Sequence, residues 1–352
     1  MTSILVTGAG GPLGVNITRS LRKASAALRL VGTDANRWHL PLSLCDATYL
    51  IPPARDTDGY ADALARLIEG ESIDVVVPTH PVEVRAVAAL RDDGRLGAAR
   101  TALPATAVLE AADDKFRTQR RLAAAGVPVP GTVLLRGPED LAEAFMSFGF
   151  PLWVRGTGAP GLGIGGAALP CRDPVVAQAW VDHHDGWGAM AASEYLPGAN
   201  LTWMAVFDRG ARLASAARER LEYVLPHVSP SGITGAPAVS RTVDRVDVAA
   251  TGEAAVRALD PSPHGAYFVD LKQDDRGTAR VTEINAGRCG TTVHFYTEAG
   301  CNFPWLLVQL ALGEPIQDIG VVEVGLYWVR TLDCGPVLVR GDEGFDEFGG
   351  PP

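Results

Sequence analysis

Four side chains in the segment VDLKQDDRGTARVTEINAGR, residues 269–288, have types and spacing that suit divalent-metal chemistry. Glu283 and Asn285 stand two residues apart, and alternation along a strand puts them on one face. The run from Asp274 to Gly277 reads as a turn, so the segment predicts a hairpin. Asp270, thirteen residues before Glu283, then comes to lie beside them. Three oxygen donors on one face suit Mg²⁺, which takes a few protein oxygens and completes its shell with water and nucleotide phosphates. Ile284 points the other way, into the core. A half-exposed hairpin with polar residues outward is the plain alternative, but asparagine is disfavoured in strands and Asn285 beside Glu283 asks for a reason. Arg288 follows three residues later, where a guanidinium would hold a transferred phosphoryl group or a developing oxyanion.

Two glycine-rich stretches invite a phosphate reading. In VRGTGAPGLGIGG an apolar strand leads into six glycines between Gly156 and Gly166, Gly161 and Gly163 among them. Without Cβ atoms, such a loop lets backbone N–H groups approach phosphate oxygens, and Arg155 at its mouth adds a fixed charge. A flexible linker is the alternative. Near the start, TGAGGPLG places Gly8, Gly11 and Gly14 at the spacing of extended short-chain dehydrogenases, with Asp34 twenty residues further on, where an acid holds a ribose hydroxyl. That chemistry needs a tyrosine followed four positions later by lysine. None of the seven tyrosines has one; Tyr267, with Lys272 five along, comes nearest. These glycines then only let strand and helix pack closely, and a nicotinamide-dependent oxidoreductase stands as a rival function.

Other residues carry weaker signals. Arg218 and Arg220, in ARERLEYVLPHVSPSGITGAP, share one face of an expected strand and could clamp a substrate carboxylate, or serve as solvated surface cations. SGITG reads as a loop closing over an acceptor. His183, His184 and Asp185 resemble a metal tract, but adjacent residues point apart and HHDGWG reads as a loop before a strand. Cys289 has no histidine partner in view. His80 and Glu83 follow an expected strand at its C-terminal end, where α/β sheets place ligands.

The elements that must position these groups divide the chain. Residues 1 to about 104 alternate SILVTG, a helix with Leu13, Ile17 and Leu21 in one stripe, LRLVGTD, the helix DGYADALARLIEG and IDVVVPT, a βαβαβ rhythm that predicts a parallel sheet flanked by helices. Asp113 is the expected N-cap of a helix closed by Gly126. A strand at FPLWVRG, a strand–turn–strand in AASEYLPGANLTWMAVFDRG, the hairpin and the helix NFPWLLVQLALG follow, and the acidic GDEGFDEFGGPP reads as flexible. The 352 residues exceed one ordinary domain, and 47% apolar residues allow a sizeable core. A formal charge of −10 argues against nucleic acid as the main partner. No stretch reaches the roughly 20 apolar residues of a membrane helix. No signal peptide is visible, and five scattered cysteines without a CxxC pair suit reduced thiols, so a cytoplasmic protein is expected.

The order Lys115, Arg155 with its glycine loop, SEYLPG, Asp270 and EINAGR resembles the ATP-grasp ligases, in particular single-module relatives of the carbamoyl phosphate synthase large chain. The resemblance spans residues 1–315 and implies a Rossmann-like N-terminal domain that binds no dinucleotide (1–111), then a two-lobed α+β ATP-grasp fold. Its small lobe would be 112–195, its large lobe with the metal site 196–335, and 336–352 an acidic tail. Carried over by position, Lys115, Arg155 and the loop of Gly161 and Gly163 would meet the phosphates of ATP. Glu194, Tyr195 and Leu196 would meet the adenine edge, and Asn200 the ribose. Asp270 and Glu283 would hold one Mg²⁺, Glu283 with Asn285 a second, Mn²⁺ being an alternative metal, and Arg288 would meet an acyl phosphate. Arg155 stands where lysine is usual, Asn200 replaces a carboxylate, and NAGR replaces the commoner NPR, which shifts Arg288 by one position. The activity implied is an ATP-dependent carboxylate–amine ligase acting on a small-molecule acid and amine, with a homodimer among the assemblies such enzymes adopt. A catalytically silent ATP sensor on the same fold is the second rival.

Overall fold

The structure is a computed structural model, and it describes residues 1–24, 27–158, 167–226, 231–232, 235–316 and 319–331. The chain begins with β1 (Thr2–Val6), α1 (Pro12–Arg22), β2 (Leu28–Asp34), β3 (Ala47–Leu50), α2 (Thr57–Gly70), β4 (Val75–Val77), α3 (Pro81–Asp92) and α4 (Thr106–Asp113). Ile4, Leu5 and Val6 are wholly buried, as a parallel strand covered on both faces requires. Leu13, Ile17 and Leu21 form the buried stripe of α1, and Pro12 opens its first turn. The strands pair in parallel in the order β3-β2-β1-β4, as the alternating pattern predicted. The strand expected third in the chain is fourth. β3 is a half-exposed edge strand of four residues, without the apolar run that marks its neighbours.

The second sheet is antiparallel. After α5 (Lys115–Ala124) come β5 (Thr132–Leu135), α6 (Pro138–Phe148), β6 (Leu152–Gly156), β7 (Leu169–Cys171), α7 (Pro174–His183) and β8 (Met190–Glu194), and the strands order as β5-β8-β6-β7. Asp114 caps α5 by accepting from the Arg117 N–H at 2.9 Å, whereas Asp113 ends α4 and pairs with Arg85. The expected cap is thus displaced by one residue between two aspartates of equal capping ability. Gly126, with φ +75°, follows the C-cap Ala125. His183 is the last residue of α7 and His184 its C-cap, so the pair expected in a loop closes a helix instead; the chain turns at Asp185, where φ is +47°. Leu135, Leu141, Leu152, Val154, Val181 and Met190 form a core private to this sheet and its two helices.

The third sheet organises the rest. It uses β9 (Asn200–Asp208), β10 (Ala211–Tyr223), β11 (Pro237–Val243), β12 (Gly265–Gln273), β13 (Ala279–Ala286) and β14 (Tyr327–Val329), in the antiparallel order β13-β12-β9-β10-β11-β14. α8 (Val246–Leu259) covers one face, where Trp203, Phe207, Tyr267, Leu271 and Ile284 are buried. Near the C-terminal end of the described chain lie α9 (His294–Glu298) and α10 (Phe303–Leu312). They help cover part of the second face, over Met204, Val206, Ala266 and Phe268. One row further along that face the side chains turn polar. Among the described residues, no helix is long and apolar enough to cross a membrane. Gly161 and Gly163, Ile233 and Thr234 of SGITG, Cys334 and the acidic tail lie outside the described residues. The other four cysteines are free thiols.

Candidate active site

The β-sheet register assembles the polar face. Asp270 on β12 lies opposite Glu283 on β13 and opposite Thr202 on β9, and Thr202 lies opposite Arg218 on β10. The next row runs Lys272, Asn200, Arg220. In the row on the other side, Phe268 stands between Asn285 and Met204. Asp270, Glu283 and Asn285 therefore share one face, as the alternation argument requires, while Ile284 is 2% exposed on the opposite one. A cavity of about 530 Å³ opens over this face, within the range of small-molecule sites. Its walls include Arg155, Glu194, Tyr195, Leu196, Asn200, Arg218, Arg220, Asp270, Glu283, Asn285 and Arg288. Lys115 stands behind Glu283, on an adjoining crevice.

Each oxygen donor is met by a cation. Lys115 Nζ lies 3.3 Å from Glu283 Oε1, and Arg155 Nη1 lies 3.8 Å from Oε2. Arg155 also donates to the Thr282 carbonyl at 2.6 Å. Arg220 reaches Asp270 Oδ1 at 3.2 Å, where Thr202 Oγ1 also donates at 3.0 Å. Arg288 donates to Asn285 Oδ1, and the Asn285 Nδ2 amide is buried without a partner among the described residues. Burial pushes the Glu283 carboxyl up, but Lys115, Arg155 and Arg288 outweigh it and hold the group below the usual carboxylate range. Among the described residues, five cations line the cavity (Arg155, Arg218, Arg220, Lys272, Arg288) against three carboxylates (Glu194, Asp270, Glu283). Glu194 is further neutralised by Arg280 at 3.2 Å. A cavity with surplus positive charge in a chain of formal charge −10 is built to receive an anion.

Several lining residues carry no distinctive signal in the sequence. Lys272 is the main one: its ammonium donates to the Gly198 carbonyl at 2.9 Å and to Asn200 Oδ1 at 3.1 Å. Burial, helped by the nearby Arg220 charge, brings its pKa down to about 8. Its one sequence signal is that it follows Asp270 by two residues on one strand, but a lysine there also reads as solvated surface. Trp153, Thr282 and Phe268 line the cavity as well, and Arg280 ties Glu194 to Asp274.

The N-terminal glycines are filled by the protein itself. A Cβ on Gly10 would overlap the His39 backbone carbonyl, and one on Gly14 would overlap the backbone of Gly8 and Ala9. A Cβ on Gly8 would come within 2.7 Å of Thr79 Oγ1 and 3.1 Å of the Glu83 carboxylate. Glu83 accepts from Thr7 Oγ1 and from the His80 N–H, so both residues of the His80–Glu83 pair serve the first turn of α3. Asp34 accepts from the Asn36 N–H. Tyr267 is buried and donates to Asp260 at 2.5 Å. These contacts give the glycines a packing reason.

No protein-family model and no curated protein sequence matches the chain. Solved structures do. N5-carboxyaminoimidazole synthetase from Staphylococcus aureus superposes with a TM-score of 0.66 at 16% identity, over 92% of this chain and 80% of that one. L-amino acid ligase from Bacillus licheniformis gives 0.62 at 17% identity, over 89% and 74%. Biotin carboxylase from Campylobacter jejuni, solved as a β,γ-ATP complex, gives 0.66 at 16% identity, over 91% and 73%. These neighbours carry the ATP-grasp fold, and at such identities the likeness speaks for the fold alone. The fold of this chain is therefore the ATP-grasp fold.

Proposed function

We propose that the protein is an ATP-dependent carboxylate–amine ligase that forms an amide through an acyl phosphate and releases ADP and phosphate. The carrying observation is the pairing of Asp270 with Glu283 across two strands, under a cavity whose cations outnumber its carboxylates. In this reading residues 1–111 form a Rossmann-like support, favoured by the parallel order β3-β2-β1-β4. Residues 112–195 and 196–335 are the two lobes that enclose the nucleotide.

The donor set fits Mg²⁺. It is all oxygen, two carboxylates and an amide, and each donor faces a cation. Asp270 and Glu283 would hold one ion, Glu283 and Asn285 a second, with Mn²⁺ as a substitute. When bound, the metal neutralises phosphate charge and polarises the transferred group. Lys115 and Arg155 leave Glu283 for the triphosphate. Tyr195, Leu196, Asn200 and Lys272 seat the base and ribose end. Arg288 stabilises the charge that develops as the substrate carboxylate attacks the γ-phosphate, and the amine then displaces phosphate from the acyl group. Little acid–base chemistry is asked of the protein; positioning and electrostatics supply most of the rate. Of the two strand arginines, Arg220 is engaged with Asp270, so it balances the metal site rather than clamping substrate.

The test is a product assay with ATP, Mg²⁺ and a panel of acids and amines. ADP and phosphate released only when acid and amine are both present is the expected result. AMP release would point to adenylation and overturn the acyl phosphate route. Tight ATP binding without turnover on any mixture would make the protein a sensor, and NADPH binding without magnesium-dependent ATP binding would make it an oxidoreductase.

A further inference from the structure

Among the described residues, Arg218 is the one cavity cation whose charge the ligase mechanism leaves unused. It is 4% exposed, yet among the described residues it makes no ion pair. Its Nη1 donates to Thr292 Oγ1, its Nε is buried without a partner, and its guanidinium lies 5.9 Å from the Tyr296 ring. A guanidinium taken out of water without a counter-charge is costly, and proteins keep one where a ligand supplies the anion. Arg288 cannot share that task, because it faces Asn285 and sits 5.4 Å over the ring of Phe268. Phe268 and both guanidiniums line the same cavity. Gly290 leaves room beside Phe268: a Cβ there would meet Arg218 Nη2 at 3.8 Å and the ring at 3.9 Å, both ordinary contacts.

We infer that Arg218 is a specificity-determining residue, which binds a second anionic group on the acid substrate, so that the acids accepted are short dicarboxylic acids, free or as amino acids. One carboxylate is activated beside Arg288 and the metal ligands. The other pairs with Arg218 at the cavity wall, with the methylene chain against the ring of Phe268, which lines the same cavity. A monocarboxylic acid leaves Arg218 buried and unpaired, and the binding it forgoes is the basis of the discrimination. This rests on the ligase reading for the position of the activated carboxylate.

The experiment measures equilibrium binding by calorimetry, with Mg²⁺ and a non-hydrolysable ATP analogue present. The probes are succinate, glutarate, aspartate and glutamate against butyrate and alanine. Dicarboxylates are expected to bind at least tenfold more tightly than monocarboxylates, and Arg218→Met to remove that difference while leaving affinity for the ATP analogue within about twofold. Arg218→Lys, which keeps the charge, restores part of the preference and serves where the methionine variant does not fold. Equal binding of both classes to the wild type, binding of neither, or a preference that survives Arg218→Met would overturn the inference. Trapping with hydroxylamine separates the two readings. Hydroxamate formed from any acid upholds the ligase chemistry, whereas dicarboxylate binding without hydroxamate leaves the subsite standing and sinks the ligase.

Discussion

Two regions of this chain advertise a ligand in their sequence, one through glycine spacing and one through converging oxygen donors, and they differ in what the folded protein does with them. The TGAGGPLG turn has the glycine spacing of a dinucleotide loop, but its glycines lie against His39, Gly8, Ala9 and Thr79 of the same chain. The face of the six-stranded sheet has no glycine signature in its strands, yet it carries opposed carboxylates under a cavity of about 530 Å³ with surplus cations. Glycine permits close approach and is silent about who approaches. Charge left without a protein partner identifies a site more sharply.

The largest effect should come from the sheet face. Glu283→Gln removes one charge from the proposed metal position and releases Lys115 and Arg155, so ADP release should fall at least ~10³-fold while the fold persists. Unchanged turnover would dissolve the contrast between the two regions. Arg288→Met should lower kcat about 10²–10³-fold, as loss of a transition-state donor does, with the KM for ATP nearly constant. The glycine turn should answer differently. Gly10→Ala forces a Cβ into the His39 carbonyl and should cost about 1–3 kcal/mol of stability in urea melts, leaving the ATP KM of the folded fraction alone. A change in nucleotide affinity there would mean the turn holds a ligand after all.

The smallest effect is a pH dependence. Lys272 is a cation below about 8 and neutral above, so its charge is lost as pH rises from 7 to 9. The KM for ATP should climb two- to threefold over that interval, and the climb should vanish in Lys272→Met. A pH-independent KM would remove Lys272 from the nucleotide end.

What could be read from sequence follows from how local each signal is. The βαβ alternation and the turn at Asp274–Gly277 are short-range patterns, and they placed Asp270, Glu283 and Asn285 on one face. β3 was missed because an edge strand of four half-exposed residues has no apolar period to detect. The pairing of Arg220 with Asp270 was invisible because it depends on β9 lying between β10 and β12, a tertiary fact with no local trace. Arg218 and Arg220 looked alike in sequence; only the register separates the one that balances Asp270 from the one left without an ion pair.

The second sheet keeps its hydrocarbon to itself: Leu135, Leu152, Val154 and Met190 belong to a cluster that includes none of the large sheet's side chains. Its packing therefore does not depend on the core of the large sheet. The contacts that tie the two sheets include polar ones, Arg280 to Glu194 and Arg155 to Glu283 and the Thr282 carbonyl, which water can replace. In the ligase reading proposed above, a shift of this sheet would admit the triphosphate and let the diphosphate out by exchanging wetted contacts, with no local melting.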